Sequence, residues 1–109
     1  MRHTRWLAAI AVSLTALGLT AGHATGEPST AIRITQYAFT PTELTVPVGA
    51  TVTWTNDDEE THTVTSASGA FGSSGLGHEE GFSQTFTRPG RYEYYCALHP
   101  HMKASVIVR

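Results

Sequence analysis

Cys96 is the single cysteine of this 109-residue chain, and a histidine and a methionine follow it at short intervals. The run reads Tyr94-Tyr95-Cys96-Ala97-Leu98-His99-Pro100-His101-Met102. A further histidine, His62, lies 34 residues upstream of Cys96 in a strand-like context. One thiolate, two imidazoles and one thioether are the donor set of a blue-copper electron-transfer site. Soft sulfur with imidazole selects copper, Cu(I) above all, although the same donors also hold Zn(II) or Ni(II). Each residue has an ordinary alternative: Cys96 as a core thiol, Met102 as core packing, His62 as a polar strand residue. A structural zinc site is disfavoured by the lack of a second cysteine and by the available methionine. No common enzyme chemistry requires this set at this spacing.

The spacing also says how the donors must be held. Cys96 would end a strand, where rigid backbone fixes it. Ala97-Leu98 would turn the chain so that His99 meets the same metal, and Pro100 biases His99 toward an extended conformation. Met102 would return at the start of the final strand. One ligand must then come from elsewhere, and His62, at the start of a strand across the domain, is the candidate.

The chain opens as an exported protein does. Met1 to Arg5 is short and basic, Trp6 to Leu19 is apolar, and Gly22-His23-Ala24 has small residues at cleavage positions. The apolar stretch falls short of the roughly 20 residues that span a bilayer. Residues 1–24 therefore read as a signal peptide, 25–30 as a flexible lead-in, and 31–109 as one domain. Export to the periplasm or beyond makes a lone cysteine conspicuous, and metal ligation would occupy its thiolate. Arg2 and Arg5 leave with the leader, so five of the seven basic residues face all nine acidic ones, net −4 with histidines neutral. That balance argues against nucleic acid as a partner. The mature form is expected to be a monomer that does not span a membrane.

Helix signals are nearly absent after the leader. Ile32 to Tyr37, Leu44 to Val48, Thr51 to Asn56, His62 to Ser66 and Phe82 to Phe86 read as strands, with Pro47 suggesting an edge. Gln84 falls on the apolar face of its strand, which weakens that assignment. Gly49-Ala50 and Pro89-Gly90 read as turns, and Ser66 to Gly81 as a long loop. Tyr92, Tyr94 and Cys96 share one face of a strand, as do Ala104, Val106 and Val108. Short strands joined by turns predict an all-β sandwich or barrel.

These residues together resemble the cupredoxins, most of all the plastocyanin/amicyanin group. The resemblance covers Ala31 to Arg109. It is carried by Leu44-Thr45-Val46 with Val48-Gly49, by Thr51 to Asp58, and by His62-Thr63-Val64. It continues through Phe86 to Cys96, His99-Pro100 and Met102. The short Cys-x-x-His-x-x-Met loop looks like that of amicyanin. The resemblance implies a Greek-key β-sandwich with one copper at one end, held strongly by His62, Cys96 and His99 and weakly by an axial Met102. It implies that the edge of His99 lies in an apolar patch where electrons pass. It also implies a non-enzymatic one-electron carrier between redox proteins such as a cytochrome, a dehydrogenase or an oxidase.

Two residues depart from the family pattern. Thr63 stands where asparagine often ties the ligand loops together, and its shorter reach leaves that tie in question. His101 stands where an apolar residue is usual, either as a solvated loop histidine or as a pH-sensitive docking edge. Asp57 to Glu60 is a solvated acidic turn or a docking patch for a cationic partner. His78-Glu79-Glu80 reads as an exposed loop segment. The alternative function is copper storage, delivery or stress response with the same ligands. A copper oxidase or nitrite reductase is disfavoured, because such enzymes need extra copper sites, several domains and many more histidines.

Overall fold

The computed structural model describes residues 30–109. The expected leader, residues 1–24, lies outside them. The described residues form eight strands and no helix: β1 (Ala31–Thr35), β2 (Ala38–Thr40), β3 (Glu43–Val46), β4 (Thr51–Asn56), β5 (Thr65–Ser66), β6 (Gly81–Thr85), β7 (Gly90–Cys96) and β8 (His99–Val108). No helix among them is long and apolar enough to cross a membrane.

Two four-stranded sheets result, ordered β2-β1-β4-β6 and β3-β8-β7-β5. Both are mixed: β1 runs parallel to β4 and β3 parallel to β8, and the other pairs are antiparallel. Between β2 and β7 each successive strand lies in the opposite sheet. The apolar faces therefore meet in one interior, as alternating strands require.

The alternation in β4 shows why the register is firm. Val52, Trp54 and Asn56 are buried, while Thr51 and Thr53 face solvent. A one-residue slip would put the threonines inside and Trp54 in water. Fully burying one large apolar side chain is worth about 1.5–3 kcal/mol. Trp54 sits at the centre, with ring centroids 5.4 Å from Tyr94, 5.7 Å from Phe82 and 6.1 Å from Phe71. Burial pushes the Tyr94 phenol up to about 12, opposed by the neighbouring Trp54 N–H. The two polar atoms nonetheless make no hydrogen bond of acceptable geometry.

Several elements differ from the sequence expectation. The first strand stops at Thr35 instead of Tyr37: Gln36 and Tyr37 have φ of 53° and 58° and form a two-residue hairpin turn into β2. The apolar face of β3 ends at Val46, and Val48 is exposed in a turn closed by Gly49, at φ 92°. β3 is an edge strand, as Pro47 suggested. His62 to Ser66 is not a continuous strand. His62 makes an isolated bridge to Leu76, and only Thr65–Ser66 pairs with β7. Gln84 does lie inward, but half-buried on edge strand β6, so its amide need not enter the core.

Candidate metal centre

β7 carries Tyr92, Tyr94 and Cys96 along one face and delivers Cys96, fully buried, to one end of the sandwich. The β7–β8 ladder shifts register between Tyr95 and Cys96, and Cys96 pairs directly with His99. The turn through Ala97-Leu98 thereby sets His99 Nδ1 3.6 Å from Cys96 Sγ. β8 begins at His99, three residues earlier than expected, so Met102 is already inside a strand. Met102 is buried on the inward face that also carries Ala104 and Val106.

His62 arrives from the opposite side, its Nδ1 3.8 Å from Cys96 Sγ. Its donor atom, that of His99 and the sulfur lie within 4.8 Å of one another. Its backbone is held by a reciprocal pair of hydrogen bonds: its N–H donates to Leu76 O at 3.1 Å and its carbonyl accepts from Leu76 N–H at 2.7 Å. Its ring is held at the far edge, where Nε2 lies 2.9 Å from Asp58 Oδ2. A proton on Nε2, donated to the carboxylate, leaves the Nδ1 lone pair free toward the sulfur.

Asp58 is the residue the sequence reading missed. Besides His62, it accepts the backbone N–H groups of Gln36 at 2.7 Å and Tyr37 at 2.9 Å. Burial alone would raise its carboxyl. The amides of Tyr37 and Gln36 and the His62 ring outweigh that and hold it below the ordinary aspartate range. Its backbone N–H donates to Asn56 Oδ1 at 3.0 Å. Asn56 is itself fully buried and donates to the carbonyls of Glu60 and Leu76, both at 2.8 Å. One side chain thus ties the end of β4 to the two segments that flank His62. The signals for these residues were their place in the Thr51 to Asp58 stretch that resembles the family and their position: Asn56 is the inward residue after Val52 and Trp54, and Asp58 precedes His62 by four.

The acidic run therefore divides. Asp57 pairs with Arg33 at 3.1 Å and Asp58 supports the site, while Glu59 and Glu60 are exposed. His78 Nδ1 lies 3.2 Å from the Asp58 carbonyl, and that hydrogen bond raises its pKa. Burial opposes the rise, and Glu59 and Glu79 add to it.

Thr63 closes the gap that its short side chain left open. Its hydroxyl accepts the Ala97 N–H at 2.7 Å, and its own N–H points at Cys96 Sγ at 3.4 Å. The two ligand segments are tied through one threonine. His101 is exposed, with its ring 6.4 Å from that of His99.

A buried thiol with no disulfide partner, an amide N–H aimed at its sulfur and two converging imidazole nitrogens suit a soft metal bound through thiolate. Together with the two-sheet sandwich, this defines a cupredoxin. The cupredoxin-like domain family matches residues 7–108, and the chain belongs to it. Copper is the cofactor, and the donors fit a type 1 site.

Within that family the chain is similar to amicyanins. It is 37% identical to amicyanin of Paracoccus denitrificans over 82 residues, 71% of this chain, and spans 63% of that protein's length. It is 32% identical to amicyanin-alpha of Methylorubrum extorquens over 92% of this chain and 96% of that one. Among solved structures, a purple cupredoxin from Nitrosopumilus maritimus superposes with a TM-score of 0.69 at 34% identity, over 74% of this chain and all of that one. A copper-containing nitrite reductase from Thermus scotoductus does so with a TM-score of 0.69 at 32% identity, over 72% of this chain but 22% of the reductase.

Proposed function

We propose that this protein is an exported, non-enzymatic one-electron carrier, with copper held by Cys96, His62, His99 and Met102. The observation that carries this reading is the convergence of a buried, unpaired thiol and two imidazole nitrogens within 4.8 Å of one another. Bound copper supplies a Cu(II)/Cu(I) couple. The chain supplies what keeps reorganisation small. Asp58 holds the His62 ring in one tautomer, the Leu76 pairing holds its backbone, and the Thr63–Ala97 hydrogen bond keeps the two ligand segments in register. The Thr63 amide directed at sulfur stabilises negative charge on the thiolate, a lever on the potential.

His99 is partly exposed, next to Leu98 at 55% and Tyr37 at 43% exposure. This apolar rim is where a redox protein would dock and where electrons would enter and leave. The carrier acts as a periplasmic or secreted monomer, between a donor and an acceptor such as a cytochrome, a dehydrogenase or an oxidase. Similarity to amicyanins supports electron transfer and leaves the partners open, because function resides in the site and its partners as well as in the fold.

The test is a Cu(II) titration of the purified domain followed by visible absorption, with Cys96→Ser as control. An intense thiolate-to-copper band saturating at one copper per chain, bleached by ascorbate and absent in the variant, is the expected result. Colourless binding would overturn the reading. Rapid electron self-exchange then separates a carrier from a delivery protein, which would instead release Cu(I) to an acceptor.

A further inference from the structure

Tyr37 is the aromatic residue that faces both histidines of the site. Its ring centroid lies 5.1 Å from that of His62 and 5.1 Å from that of His99, nearly perpendicular to each at 86° and 87°. The two imidazoles are 5.0 Å apart, so the three rings form an almost equilateral triangle. His62 is fully buried whereas Tyr37 is 43% exposed, which places the phenol ring on the solvent side of this contact.

The backbone that puts it there is unusual. Gln36 and Tyr37 are the two residues of the β1–β2 hairpin turn, and both have φ in the left-handed region. Turns of that sign pattern favour Asn-Gly, and a bulky aromatic there is disfavoured because its Cβ crowds the following carbonyl. The conformation persists because both amides are fastened to Asp58, and the Asp58 oxygen that receives the Tyr37 N–H also receives the His62 ring. A strained residue kept by the surrounding structure at a functional site is where a functional role is expected.

We propose that Tyr37 is a positioning residue of the metal centre: its ring braces the His62 and His99 imidazoles and screens them from small external ligands. This rests on the copper-carrier reading for its purpose, but the bracing is a property of the chain alone. Asp58 couples the brace to His62, so ring and hairpin are set by one carboxylate. His99, which has no such carboxylate, depends on Tyr37 more.

Three variants separate ring from backbone. Tyr37→Phe keeps the ring. Tyr37→Asn removes it while suiting the left-handed turn, so the fold is retained. Tyr37→Gly repeats the test with a second turn-compatible residue. In metal-free protein, NMR of the imidazole nitrogens should show His99 gaining motion in the Asn and Gly variants, His62 much less, and the Phe variant matching the parent. In copper-loaded protein, titration with azide should give about tenfold tighter binding in Asn and Gly than in Phe, because the ring no longer screens the site. Unchanged imidazole motion and unchanged azide affinity in the Asn and Gly variants would overturn the proposal. If the parent shows no thiolate band, the carrier reading fails by itself, and the metal-free NMR comparison still decides the role of Tyr37.

Discussion

The two histidines of the site occupy opposite mechanical situations. His62 is fully buried, its backbone is held by two hydrogen bonds to Leu76, and its ring is fixed by Asp58. His99 is partly exposed at the start of β8, just after a short turn, and its ring contacts are to Tyr37, His62 and His101. A carrier needs both conditions at once. One wall must hold its donor still, so that changing the metal's charge moves little. The other must reach the surface, so that electrons have a short path out. On the proposed carrier reading these demands fall to different elements: a hydrogen-bonded network at the end of β4 and a tight β7–β8 turn.

The largest test of that division is Asn56→Ala. It removes a buried group making three hydrogen bonds and leaves two carbonyls and an amide without it. We expect a loss of about 3 kcal/mol, read by urea unfolding. Equal stability of variant and parent would show that the His62 wall does not rely on Asn56.

Asp58→Asn should be gentler on the fold and sharper on the site. Outer partners of ligating histidines are worth about 10–100-fold in metal affinity, and competition with a chelator would read that loss. Asp58 Oδ2 holds the His62 ring directly and the His99 ring only through the Tyr37 hairpin, so imidazole NMR of the variant should show the larger gain of motion at His62 and a smaller one at His99.

Thr63→Val removes the acceptor of the Ala97 amide without altering shape. A cost of about 1 kcal/mol is expected, together with a broader copper spectrum as the two walls lose their tie. A spectrum as narrow as the parent's would show that the two segments stay in register without the hydroxyl.

The smallest effect concerns His78, whose pKa is raised in the folded state. The sign follows from linkage: its contribution is fully present below the unfolded value near 6.5 and is lost as pH rises through the higher folded value. Melting temperature should therefore fall slightly more between pH 6 and 8 in the parent than in His78→Gln. Because the ring is exposed, the difference should be small.

Local pattern made much of the molecule legible. Period-two alternation in β4, β7 and β8 identified their inward faces, because side chains on a strand point to opposite sides whatever the partner. The Cys96, His99 and Met102 spacing was readable because one short stretch of the β7–β8 hairpin carries all three. Where the reading failed, distant groups had intervened. The expected strand through Tyr37 stops at Thr35, where the Asp58 carboxylate captures two amides from across the sheet. The expected His62 to Ser66 strand is broken because Leu76, from a loop read as featureless, pairs with His62 instead. The acidic run looked uniform, yet one of its members is a support of the site.

By itself, then, the sequence determined the donor types, the strand faces and the likeness to cupredoxins, since these follow from side-chain chemistry and short-range spacing. Tertiary structure alone decided what makes His62 rigid, the Leu76 backbone and the Asp58 carboxylate. It also decided that Thr63 bridges the ligand segments and that Tyr37 stands against both rings. The last two depend on contacts between segments far apart in sequence, as in the Tyr37–Asp58 and Thr63–Ala97 pairs, and no local pattern encodes such a meeting.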